Sequence, residues 1–301
     1  MANTVILSDR DVAMLRLLDK TPATAALVLK SSVTFGRESF LDERRVRERL
    51  QTLEEGRLVR SFLPAHTTGG AAKWFKLSRG GFVQLHGAED SLPPRSKFDD
   101  IPPSRFEHTR VLAEVIVHTL VAAYRSRVPV TGFHGDGTLV LETGSSRQVP
   151  DCHFQFASVG KTFNVLFEID NSTEPLTTDR LQSIRAKIAG YEAYQDTVWY
   201  NWKRGGERSP RPYFRVVFLT KTVERAHHIL WLAGQCARNR DRRLCYAATQ
   251  ESYLRASNAL HAFLFHDHHG GWTCLVDLHP TAKILLAPIR LSAPLGSFPR
   301  I

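Results

Sequence analysis

Val165-Leu166-Phe167-Glu168-Ile169-Asp170, with Val149-Pro150-Asp151 shortly before it, is the stretch on which the fold turns. In a strand successive side chains point to opposite faces, so Val165, Phe167 and Ile169 can enter a core while Glu168 and Asp170 share the other face with Leu166. If the strand carrying Asp151 lies alongside, three hard oxygen donors converge. Such donors select Mg2+ or Mn2+, and an ion so held lowers the pKa of a bound water and offsets charge on a phosphate. Acids at strand ends are also commonly just solvated, which is the alternative reading.

Working outward, a long helix over 105–126 carries Glu107, His108 and Glu114, and extended segments are expected near 128–133, 138–142, 149–156 and 162–170. A helix over 178–195, a strand over 213–219, a helix over 223–238 and a short strand over 244–247 follow. Helix, three strands, helix, strand is the α/β order of a restriction-endonuclease core.

The first eighty-odd residues read differently. Ser8 caps a helix to about Asp19, Pro22 opens a second that runs to about Ser31, and Asp42 caps a third from Glu43 to Glu55, closed by Gly56. Segments 58–62 and 73–77 then form strands joined by the polar loop 65–71, which is the order of a winged helix-turn-helix. Arg44, Arg45, Arg47 and Arg49 crowd the start of the third helix, where a recognition helix meets the major groove. The competing reading pairs them with Glu43, Glu48, Glu54 and Glu55. Lys73 and Lys76, beside Trp74, would have the wing touch phosphates.

Residues 1–86 are therefore expected to form the winged helix-turn-helix and 87–104, rich in Pro, Asp and Ser, a linker. The span 105–290 would be the endonuclease-like domain and 291–301 a tail, giving an α/β chain, α+β overall. Forty Lys and Arg against thirty Asp and Glu give a net charge of +10 and a pI near 9.7, which favours a polyanion partner without naming it. The excess is local: 201–244 holds eleven basic residues, Lys203, Arg204, Arg208 and Arg211 among them, against three acids. The four cysteines are too widely spaced for a zinc or redox pair. His266, Asp267, His268 and His269 read as a surface turn, and 134–138 as a hairpin turn. With no membrane-length apolar run and no secretory pattern, a soluble, intracellular protein is expected.

The amino-terminal winged helix, Val149-Pro150-Asp151, Phe167-Glu168-Ile169-Asp170 with Asn171 to Glu174, and the helix containing Arg185, Lys187, Tyr191 and Tyr194 together resemble the replication-relaxation family. That resemblance implies a protein of a plasmid or other mobile element, in the bacterial cytoplasm near the nucleoid, with a PD-(D/E)XK nuclease-like domain. It implies that Asp151 and Glu168 bind Mg2+ or Mn2+. The departure is Asp170, which stands where the superfamily's active members carry lysine. Lys187, sharing a helix face with Arg180, is the candidate to replace it. The implied function is double-stranded DNA binding with Mg2+-dependent nicking or cleavage at Asp151, Glu168, Asp170 and Lys187, and Arg180, Lys203 and Arg204 on the backbone. The alternative is a non-catalytic regulator of replication or transcription with a degenerate nuclease fold. A homodimer, or assembly with other mobile-element proteins, is open on either reading.

Overall fold

The computed structural model describes residues 6–64, 72–87, 92–144, 146–172, 174–177, 183–206 and 213–276. The amino-terminal part contains helices α1 (Asp9–Lys20), α2 (Ala25–Ser31) and α3 (Glu43–Glu55) and strands β1 (Ala23–Thr24), β2 (Val59–Phe62) and β3 (Trp74–Leu77). The strands form an antiparallel sheet in the order β1-β3-β2, and the three helices share one buried cluster with it. Ser8 and Asp11 cap α1 reciprocally. The second helix departs from expectation: Pro22 lies outside it, and Thr24 caps it by accepting from the Leu27 amide at 3.3 Å. Helix α4 (Arg79–His86) closes this part. Its Gly81 lies so close to the Leu58 carbonyl that a Cβ would fall 2.0 Å from that oxygen, so the packing requires glycine.

The segment read as a linker is docked where it is described. Phe98 is buried in the amino-terminal core, Arg60 donates to the Phe98 carbonyl at 2.9 Å and pairs with Asp100 at 2.6 Å, and Lys97 pairs with Asp19 at 2.9 Å. Helix α5 (Pro103–Arg125) then serves two cores at once. Val117 and Val121 pack into the amino-terminal cluster, while Val111, Leu112, Val115 and Ile116 pack under the large sheet.

That sheet has seven strands in the order β12-β11-β10-β9-β8-β7-β4. They are β4 (Val130–His134), β7 (Cys152–Ser158), β8 (Lys161–Asp170), β9 (Phe214–Thr220), β10 (Cys245–Thr249), β11 (Phe265–Asp267) and β12 (Trp272–Thr273). Strands β8, β9 and β10 are parallel, and the other neighbours are antiparallel. Strands β5 (Leu141–Thr143) and β6 (Ser146–Gln148) form a separate hairpin, so the extended segment expected at 138–142 does not join the main sheet. Helices α6 (Ile184–Arg204) and α7 (Val223–Cys236) are the crossovers between the parallel strands, and α8 (Gln250–Arg255) follows β10. Side chains alternate as the sequence requires: Cys152, Phe154, Val165, Phe167 and Ile169 face the α5 side, whereas Leu166, Val216 and Phe218 meet Ile184, Ile188 and Tyr191 of α6. Helix α5, the β4-β7-β8 meander, α6 and β9 give the mixed α/β core, with α7 and β10 extending it.

His118 of α5 marks the seam between the two cores. Its Nδ1 lies 3.5 Å from Lys30 Nζ, and burial, reinforced by that cation, pushes the imidazole down to about 4. Between about 4 and the ordinary 6.5 the unfolded chain takes up a proton that the folded chain refuses, so stability is lost as pH falls through that window. Denaturant unfolding at pH 7 and pH 5 is expected to give free energies that differ by about 2 kcal/mol at this group, and His118→Leu to flatten the profile.

Candidate active site and nucleic-acid interface

The end of β8 and the turn before β7 bring the acids together. Cys152 pairs with Phe167, and the Asp151 amide donates to the Phe167 carbonyl at 3.1 Å, so continuing the register sets Asp151 opposite Glu168. One Asp151 oxygen accepts from the Ile169 amide at 2.6 Å, and the other lies 3.1 Å from His108 Nε2. The hydrogen bond to Asp151 raises the affinity of His108 for its proton, against the effect of burial.

Glu168 is 3% exposed. One of its oxygens accepts from Lys187 Nζ at 3.0 Å and the other from the Tyr191 hydroxyl. Burial pushes the carboxyl up to about 7, with Lys187 opposing and Asp151 adding to the rise. Lys187 also donates to Glu174 at 2.9 Å. Burial alone would loosen its proton, but Glu168, Asp151 and Glu174 together hold it more firmly than in a free lysine. Lys187 and Tyr191 stand four apart on α6, one turn along the same face, which is why a single helix delivers both to one carboxylate. Nearby, Arg105 pairs with Asp136 at 2.6 Å, and burial raises the Asp136 carboxyl.

Asp170 departs from the expected metal set. It is buried, and its two oxygens accept from Arg225 Nε at 2.6 Å and Nη2 at 3.0 Å, a bidentate pair in which Arg225 also donates to the Glu174 carbonyl at 2.6 Å. Arg225 comes from the first turn of α7, 55 residues away, so nothing local announced it. Asp151, Glu168 and Lys187 converge, and Asp170 instead ties β8 to α7. Among the described residues no group of three or more His, Cys, Asp or Glu is arranged to hold a metal ion. Glu114 and Glu107, the acids considered on α5, both pair with Arg110, at 2.5 and 2.9 Å, and it is His108 between them that reaches the site.

The basic residues divide in the same way. Arg44, Arg45 and Arg47 are exposed on α3 and pair with Glu48, Asp42 and Glu43. Arg49 is structural, its guanidinium donating to both oxygens of fully buried Asp11 at 2.6 Å and clamping α3 to α1. Burial opposes ionisation of Asp11, but hydrogen bonds from Arg49 and Ser8 prevail and hold its carboxyl below the usual range. Lys76 is likewise removed from the interface: it is buried and donates to the Asp99 carbonyl at 2.5 Å. Lys73 pairs with Glu54 at 2.9 Å at the surface. Lys203 and Arg204 end α6 as exposed cations. Arg180, Thr173, Arg208, Arg211, the wing loop 65–71 and the tail 291–301 lie outside the described residues. The segment read as a surface turn divides: His266 and Asp267 end β11, with Asp267 buried, and only His268 and His269 lie in the turn to β12, where one Asp267 oxygen accepts from the amides of His269 and Gly271. Sequence reasoning missed the roles of His108, Tyr191, Glu174 and Arg225. The i, i+4 spacing of Tyr191 from Lys187 was the one signal available for any of them.

Residues 15–207 match the family model described as replication-relaxation. The chain belongs to the replication-relaxation family. No curated protein matches it. Among solved structures, that of the restriction endonuclease FokI aligns at 14% identity with a TM-score of 0.27, a likeness too slight to build on. The alignment covers 82% of this chain and 42% of that one, so the replication-relaxation chain spans less than half the length of that structure. No helix among the described residues is long and apolar enough to cross a membrane.

Proposed function

We propose that this chain is a double-stranded DNA-binding protein of a plasmid or other mobile element, whose winged helix docks the duplex and whose nuclease-like core nicks the backbone with Mg2+ or Mn2+. The observation that carries the reading is the convergence of Asp151, Glu168 and Lys187 at the ends of adjacent strands and one helix. The donors suit a hard cation. Asp151 and Glu168 supply carboxylate oxygens, and Glu174 Oε2 is buried near the same ammonium with no hydrogen-bond partner among the described residues. Asp151 and Glu168 would hold the ion, which when bound activates water and offsets phosphate charge. Lys187 keeps its proton and would face the charge that develops on the phosphate. Tyr191 fixes the orientation of Glu168, and His108 that of Asp151. On the winged helix, Arg44, Arg45 and Arg47 would meet the duplex. Their ion pairs are exposed and screened by solvent, hence weak, so phosphates can displace the acids.

The second reading, a DNA-binding regulator without catalysis, is favoured by the same Glu168: it is buried with both oxygens engaged, and position 170 lacks a lysine. A supercoiled-plasmid assay separates the two. Mg2+-dependent nicking that falls by about 100-fold or more in Asp151→Ala is the expected result, with duplex binding preserved. Duplex binding without any nicking in Mg2+ or Mn2+ establishes the second reading instead.

A further inference from the structure

The far end of α6 carries a feature that the acidic site does not use. Trp199 stacks on Tyr213 with centroids 5.3 Å apart and planes 27° apart, and lies 4.9 Å from Trp202. Lys203 Nζ sits 5.4 Å from the Trp199 ring centre, and the Arg204 guanidinium 5.6 Å from that of Tyr200. Tyr200 and Tyr213 are 60% and 52% exposed. The rings continue inward: Tyr194 and Tyr191 both contact Phe214, and Tyr191 holds Glu168. Aromatic residues are thus spaced along α6 from the acidic site to the surface, and the outermost are left in water with cations over their faces.

Large rings exposed together are costly unless something covers them. Interleaved cations argue for an anionic, planar occupant. Unpaired nucleobases on a phosphate backbone have that chemistry: every base has a π-face for a Trp or Tyr ring, and each base is joined to a phosphate that Lys or Arg can meet. Duplex DNA does not, because its bases are already stacked on one another. From Lys187 to Trp199 is twelve residues of helix, about 18 Å along its axis, so both places lie on one rigid element.

We propose that the carboxyl-terminal end of α6 and the start of β9 form a stacking platform for single-stranded DNA, one that receives an unpaired strand leaving the acidic site. The choice of DNA depends on the function proposed above; the preference for unpaired bases follows from the exposed rings alone.

The test uses the full chain and fluorescence anisotropy with a labelled 20-nucleotide oligothymidine, the matching duplex and an oligouridine of the same length. Loss of one base stack is expected to raise the single-strand Kd about tenfold in Tyr213→Ala and in Trp199→Ala, with Trp199→Phe restoring much of it and the duplex Kd moving less than about twofold. The exposed pair Lys203→Glu/Arg204→Glu, which disturbs no buried group, is expected to weaken single-strand binding and reduce its salt dependence, and it decides the matter if Trp199→Ala does not fold. Wild-type single-strand affinity in Tyr213→Ala and in the charge-reversed pair overturns the proposal and leaves the cluster as a docking site for protein. Tighter binding of oligouridine than of oligothymidine overturns the assignment to DNA. Absent duplex binding with platform-dependent single-strand binding would refute the winged-helix docking and not the platform.

Discussion

Asp170→Ala is expected to lower the unfolding free energy by about 3–5 kcal/mol. The carboxylate is buried, and Arg225, 14% exposed at its side chain, keeps only the Glu174 carbonyl as a side-chain partner among the described residues once it is gone. Losing one member of such a pair leaves an uncompensated charge in a low-dielectric setting, whereas losing both does not. Asp170→Ala/Arg225→Leu is therefore expected to recover most of the loss. Urea unfolding of the two variants measures this directly, and a wild-type midpoint for Asp170→Ala would show that the pair is merely tolerated. The same contact explains the residue at this position. Lysine at 170 would place a second cation against Arg225, so Asp170→Lys is expected not to fold unless Arg225 is replaced as well.

Glu168→Gln is expected to separate stability from activity. On the proposed reading it removes a metal ligand, and nicking should fall by about 10²–10³-fold. Stability moves the other way. The folded Glu168 carboxyl is pushed up to about 7 from an ordinary 4.5, so between those values the folded chain keeps a proton that the unfolded chain has released. Stability therefore declines as pH rises through that window, by up to roughly 3 kcal/mol. Glutamine has no such proton to lose, and Lys187 retains Glu174 as its partner. The variant should melt above wild type at pH 8 and close to it at pH 5. A variant that melts lower at pH 8 would mean that Glu168 is a well-compensated anion in the folded protein, and undiminished nicking would remove it from the site.

The elements were legible where the pattern is local. The alternation in 165–170, the caps Ser8 and Asp42 and the 3.6-residue spacing of α3, α5 and α7 each depend on residues a few positions apart. Helix α6 was harder. Ser183 caps it, and it runs on to Arg204 through the tryptophans, past the expected end at 195. The assignment of Arg44, Arg45, Arg47 and Arg49 to one surface failed for Arg49, because Asp11, which binds it, is 38 residues away. Lys76 failed for the same reason, its acceptor being the Asp99 carbonyl in the stretch read as a linker.

By itself the sequence determined the α/β alternation and the alternation of core and acid-bearing faces along β8, because strand periodicity follows from neighbouring residues, whereas the meeting of Asp151 with Glu168 needed the pairing of β7 with β8. Only the tertiary structure decided which charges serve the site and which hold the fold. Asp170 and Asp151 look alike in the chain, but Arg225 of α7 reaches the first and His108 of α5 the second. A side chain's charge is local, whereas its partner is chosen by packing between elements far apart in sequence, and that partner decides what the charge does.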